Sequence, residues 1–224
     1  MTPQILIQCA GDKSSDAGTF KYHGKIVNFV AQPQVCQETS CSVYVNPNQI
    51  IDQNKNITWF DKLKEYNKEY VETGDNPYNL FKAVELYRNA IFNHIKQRIG
   101  SENIYILSAG WGIVKGSYLL PDYNITFSGA HNNKEWRDIN LEWQDMNHLD
   151  DPPSNINDLH IFCTANYHPL LKRLLGGKIR KDAKITIHTN LYMDVDNYKY
   201  EEFFPTGNTN WQYACAKDFI NNLD

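Results

Sequence analysis

Four short apolar runs constrain this chain more than any other feature: residues 4–10, 104–108, 159–164 and 184–189. Each is rich in β-favouring side chains and bounded by polar breaks, as fully buried strands are. Segments with helical spacing separate and follow them. The expected fold class is therefore α/β, a mixed, largely parallel sheet flanked by helices, in a single domain with a polar insertion or lid at 128–158. The first three runs end in polar loops: Asp12-Lys13-Ser14, Ser108-Ala109-Gly110-Trp111-Gly112 and Asn166-Tyr167-His168. If those strands lie parallel, the loops meet on one edge, where open α/β sheets bind ligands.

The remaining elements follow from periodicity and punctuation. Residues 19–30 read as two short strands around the turn pair His23-Gly24, and 31–56 as loop with one strand at 42–45. A helix is expected from about Thr58 to Gly74. The apolar stripe Leu80, Val84, Tyr87, Ile91 and Ile95 predicts a second, longer one over 78–99, stopped by Gly100. Further helices are expected around 134–146, over 170–175 behind Pro169, and from about Asn210 with Trp211, Cys215 and Phe219 on its buried face.

Composition excludes several classes. The chain has 224 residues, enough to bury roughly 70% of its unfolded surface without staples. Five cysteines have no CxxC spacing and seven histidines no HExxH or HxxxH pattern, so Cys9 and Cys163 read as core thiols and no metal is expected. No run approaches a membrane span and the start carries no basic leader region, which predicts a cytoplasmic protein with no membrane contact. The net charge of −4 gives no global pull on nucleic acid. Lys172, Arg173, Lys178, Arg180 and Lys181 form the one strong basic run, a candidate track for a nucleic-acid backbone or a solvated face.

Leu107-Ser108-Ala109-Gly110-Trp111-Gly112-Ile113-Val114, followed by Asp122-Tyr123-Asn124-Ile125-Thr126-Phe127, resembles the YaaA-like superfamily of peroxide-stress proteins and small relatives, whose text is close to LSAxYGLL and PYDxTL. Trp111 stands where tyrosine is common, Asp122 replaces a proline and Asn124 an acid. The first strand followed by Cys, Lys and Ser, and the strand, tyrosine and short helix around Tyr167, extend the likeness to three places. The resemblance implies a link to DNA and to the processing of modified bases.

A site at the joined loops would offer rings for stacking (Trp111, Tyr123, Tyr167) and groups able to read a base edge (Ser108, Asn124, Asn166), as an extruded base requires. Lys13, Ser14 and Asp122 would complete the substrate contacts. The expected activity is that of a DNA glycosylase acting on a modified, flipped-out base, with no cofactor. Asp12 is the candidate acid nearest the sugar, Asn124 the donor to the base or holder of the water, and His168 or Lys13 the donor to the leaving base. The alternatives are a non-catalytic DNA-binding stress protein and an enzyme acting on free modified nucleosides or nucleotides.

Overall fold

The computed structural model describes residues 2–129, 133–150, 156–175, 183–189, 199–202 and 210–223. In chain order the strands begin with β1 (Gln4–Gln8), the hairpin β2 (Lys21–Tyr22) and β3 (Lys25–Val30), then β4 (Ser42–Val45), β5 (Ile50–Asp52) and β6 (Ile57–Thr58). His23 and Gly24 both take positive φ in the hairpin turn, 49° and 79°, as the twist of paired strands favours. Helix α1 (Trp59–Thr73) starts on a reciprocal cap: Thr58 Oγ1 accepts from Asp61 N, and the Asp61 carboxylate accepts from Thr58 N. It stops at Gly74, whose φ of 76° suits a residue without Cβ.

The long helix expected over 78–99 is broken. In its place stand β7 (Phe81–Lys82), the single turn α2 (Ala83–Leu86) and α3 (Ala90–Ile99). Pairing of 12–14 with 86–88 makes the break: Ser14 N donates to Leu86 O, Arg88 N donates to Asp12 O, and Lys13 bridges Tyr87. Tyr87 is therefore extended, and Asn89 restarts the helix by capping Ile91 N. The 3.6-residue spacing of apolar side chains survives the interruption, which is why periodicity alone reads straight through it.

Next come β8 (Ile104–Ser108), β9 (Gly112–Lys115), β10 (Leu119–Leu120), β11 (Tyr123–Asn124) and β12 (Met146–Asn147). The helix expected around 134–146 does not form. Its residues are short turns and irregular chain up to the start of β12, and Thr126 and Trp136 pair as a parallel bridge. Last are β13 (Asp158–Phe162), α4 (His168–Leu175), β14 (Lys184–Thr189), β15 (Lys199–Glu202) and α5 (Trp211–Asn221).

The main sheet has seven strands in the order β12-β9-β8-β1-β13-β14-β15. The five from β8 to β15 are parallel to their neighbours; β9 runs antiparallel to β8 and carries β12 with it. This is the α/β architecture the pattern of runs implies. Strands β1 and β8 are almost wholly buried and apolar, as covered parallel strands are. Helix α5 packs on β1, β13, β14 and α3. A smaller sheet of β11, β3 and β2, with β4 on β3, packs its Val27 and Phe29, and Phe20 just before β2, into the same hydrophobic core. Among the described residues no helix is long and apolar enough to cross a membrane.

Candidate functional site

Strands β8, β1 and β13 are adjacent and parallel, so the three polar loops do share one edge of the sheet. Three contacts fasten them. Cys9 N donates to Leu107 O at 3.0 Å, Thr164 donates through both N and Oγ1 to Gln8 Oε1 at 2.8 Å, and Cys9 Sγ lies 3.2 Å from the hydroxyl of Tyr167.

Beneath this edge sits a set of buried hydroxyl groups. Ser108 Oγ donates to the Tyr123 hydroxyl at 2.9 Å and accepts from Gly110 N and Trp111 N, which closes the turn between β8 and β9. Tyr87 and Tyr123 hydroxyls are 2.7 Å apart, and Tyr213 donates to Cys9 O at 2.8 Å. Burial raises the Tyr87, Tyr123 and Tyr167 phenols well above their ordinary pKa, so they act as neutral donors and acceptors. Ser108 and Tyr123 are thus structural links within the site rather than groups open to a ligand's edge.

Lys13 is the ionisable group that meets this cluster. Its Nζ sits 4.2 Å from the centre of the Tyr123 ring and donates to Gly11 O at 3.3 Å. Among the described residues no carboxylate comes within ion-pair distance of it. Burial lowers its pKa, opposed by Cys9, Asp122, Glu135 and Asp12 in that order. Desolvation favours the neutral amine, whereas the face of the Tyr123 ring and the nearby acids favour the ammonium.

The remaining candidates divide. Asp12 and Lys13 are consecutive in an extended stretch, so their side chains leave on opposite sides. Asp12 is exposed, 3.9 Å from Arg88 Nη1, and lines a cavity of about 280 Å³ with Gly11, Arg88, Asn89, Asn210 and Tyr213. Asp122, Tyr123 and Asn124 instead line a separate hollow of about 100 Å³ with Tyr44 and Lys134. The expected single cavity holding both Asp12 and Asn124 is therefore corrected to two, and Lys13 and Tyr123 belong to the side of Asp122.

Other expectations are corrected by burial and pairing. Trp111 is fully buried, packed edge-on against Phe29 at 5.2 Å, and presents no face for stacking. Tyr167 is buried likewise, edge-on to Phe127 at 5.0 Å. The His168 ring hydrogen-bonds the backbone of Cys163, and burial pushes its pKa down to about 4, so it brings no proton to a leaving group at neutral pH. Ser14 is occupied in its own turn, accepting from Asp16 N, while exposed Asn166 donates to Ser128 Oγ at 3.1 Å. In the basic run, Lys172 is exposed, whereas Arg173 donates to Asp145 Oδ2 at 2.6 Å and to Ile139 O, which removes it from a nucleic-acid track. Lys178, Arg180 and Lys181 lie outside the described residues.

Sequence reasoning passed over several residues that build the site. Cys9 reads as core packing and is buried, yet its thiol joins the hydroxyl cluster. Tyr87 reads as one more position of a helical stripe. Asn89, a good N-cap residue inside the stripe, was the available signal that the helix restarts there. Arg137 gave none: it is buried, bidentate to buried Asp145 at 2.8 and 2.7 Å, bonded to Ala109 O, and stacked 4.2 Å over Trp143. That arrangement pins the polar segment under the β8–β9 turn. Among the described residues no group of three or more His, Cys, Asp or Glu is placed to hold a metal ion.

Comparison of the chain with models of protein families, with curated proteins and with solved structures finds no match. The site is therefore read on its own geometry.

Proposed function

We propose that this protein cleaves the N-glycosidic bond of a modified base presented on DNA, with the chemistry on the side of the sheet edge shared by Lys13, Asp122 and Asn124. The observation that carries the reading is the half-buried amine of Lys13 over the Tyr123 ring, with Asp122 and Asn124, the residues on either side of Tyr123, lining the adjoining hollow. Breaking an N-glycosidic bond builds positive charge on the sugar and negative charge on the departing base. Asp122 opposes the first charge, Lys13 donates a proton to the second, and the Asn124 amide pairs with the base edge or holds the attacking water.

The hollow beside Asn124, about 100 Å³, is smaller than the ~300–1,000 Å³ of enclosed small-molecule sites. A substrate that gains little from enclosure there must gain affinity elsewhere, and a polymer does so along its backbone. This favours a base on a strand over a free nucleoside, and the buried position of Trp111 removes a closed, ring-walled base pocket from the picture.

Incubation of the purified protein with DNAs carrying different base modifications, followed by mass spectrometry of released bases, tests the proposal. Release of one modified base is expected, reduced about 10²-fold or more in Asp122→Asn. Release of no base from any DNA or nucleoside overturns it, and equal turnover of free nucleosides would replace the polymer as substrate.

A further inference from the structure

We infer that the groove between residues 33–38, the end of β4 with the turn after it, and Glu142-Trp143 is a binding site for a neutral saccharide. It lies apart from the chemistry proposed above: the groove and the hollow that holds Asp122 and Asn124 have only Tyr44 in common.

Three segments far apart in the chain build it, and hydrogen bonds fasten them. The Asn48 side chain accepts from Gln144 N and donates to Gln144 O at 3.3 Å, which joins the turn after β4 to the stretch carrying Trp143. Gln32, just before the third wall, donates from N to Lys134 O at 2.9 Å and from Nε2 to Trp136 O at 3.0 Å. The walls are thus set before any ligand arrives, which lowers the ordering cost of binding. The space between them, about 570 Å³, is within the roughly 300–1,000 Å³ of small-molecule sites.

The lining suits a ligand with many hydroxyls. Tyr44 and Trp143 are half-exposed rings, surfaces on which the C–H face of a sugar ring packs. The amides of Gln34 and Gln49 and the carboxylate of Glu142 line the same groove, and their side chains are engaged by no other described residue. An amide sets a donor beside an acceptor, and a carboxylate offers two acceptors, which match adjacent hydroxyls that both give and take hydrogen bonds.

Three other ligand classes fit less well. Among the described residues no Lys, Arg or His lines the groove, whereas Glu142 and Glu38 do, the latter meeting only exposed Lys25 at 3.5 Å, so the phosphates of a nucleic acid are repelled. A caged cation is disfavoured because each ring already carries one: Arg137 lies 4.2 Å over Trp143 and Lys134 5.4 Å over Tyr44. An apolar ligand would strip water from the amides and carboxylates without replacing its hydrogen bonds.

The test titrates the full chain, by saturation-transfer NMR, with neutral di- to tetrasaccharides of glucose, galactose, mannose and N-acetylglucosamine. A sulfated disaccharide, a trimethyllysine peptide and a proline-rich peptide containing arginine are run beside them. The expected result is binding of a neutral saccharide through its C–H face, weakened about 10-fold or more by Glu142→Ala and about 3-fold or more by Gln49→Ala. Both positions are exposed, so circular dichroism and melting of the variants should match the wild type. Binding of none of the neutral saccharides, binding of a charged probe or peptide alone, or binding unchanged in both variants each overturns the inference. Saccharide binding by a chain that releases no base from any DNA keeps the groove and discards the glycosidic reading; base release by a chain that binds no saccharide does the reverse.

Discussion

Ser108 shows how a residue that looks like a ligand group can be spent on the fold. Its buried Oγ satisfies two backbone amides and one phenol, so Ser108→Ala leaves Gly110 N, Trp111 N and the Tyr123 hydroxyl short of partners at once. The expected cost is about 1–3 kcal/mol in urea unfolding, and a double-mutant cycle with Tyr123→Phe should be non-additive. Additive costs would mean the hydroxyls do not form one unit. Gly112 is tighter still: φ is 83°, and an added Cβ would collide with the backbone of Met146. Gly112→Ala should therefore cost at least about 2 kcal/mol, by strain and by displacement of β12; an unchanged denaturation midpoint would refute the close approach. At this scale the sequence was half legible. That two glycines mark a turn with special backbone needs is written in the residue types. That Trp111 between them points into the core is not, because a turn has no period from which to read a side.

At the scale of elements, the strands were legible and the helices less so. The runs at 104–108 and 184–189 appear with those bounds because an unbroken apolar run of that length has few other uses. The helix over 78–99 failed because a long-range pairing with residues 12–14 outweighed local periodicity, and that same pairing brings Tyr87 to the site. Pairing of β13 with β14 carries another feature no local pattern announces. His160 Nδ1 lies 2.9 Å from His188 Nε2, with Asp158 and Glu201 beyond the two outer nitrogens, Lys184 and Lys199 beside those carboxylates, and Phe219 of α5 covering the pair. Burial lowers both histidines, His188 to about 4. Their folded pKa lies below the unfolded value of 6.5, so stability is complete above that pH. Between there and about pH 4 the unfolded chain takes up protons the fold refuses, and stability falls. For His188, whose side chain is only 6% exposed, the loss is on the order of 3 kcal/mol. Denaturation midpoints measured from pH 7.5 to 4.5 should drop, and His188→Gln should flatten part of that drop. An identical slope in the variant would contradict the assignment.

Taken as a whole, the molecule is a mixed, mostly parallel sheet whose proposed functional edge is held by charge from a segment that reads as an insertion. Arg137 and Asp145 lie buried with Trp143 across the guanidinium, and Arg173 of α4 closes the outer side of Asp145. Arg137→Leu leaves the buried Asp145 carboxylate with Arg173 alone and should cost about 3 kcal/mol, whereas Arg173→Ala, at a half-exposed position with Asp145 still held in two bonds by Arg137, should cost clearly less. Equal losses would mean that the clamp is not centred on Arg137. No run of residues spells out this clamp, since Arg137 and Asp145 are eight residues apart in a polar stretch with the composition of a loop. The convergence of three strand ends was readable, because it follows from parallel order. The division of the site into two hollows on either side of the Asp12-Lys13 step was not, because it depends on which neighbour each side chain meets. The central claim is that Lys13 is a sheltered amine at that convergence, with no carboxylate at ion-pair distance among the described residues. Titrating the lysines by NMR after carbon-13 methylation tests it most directly: Lys13 should lose its proton at a lower pH than the other lysines, and a Lys13 signal that titrates along with them would contradict the account.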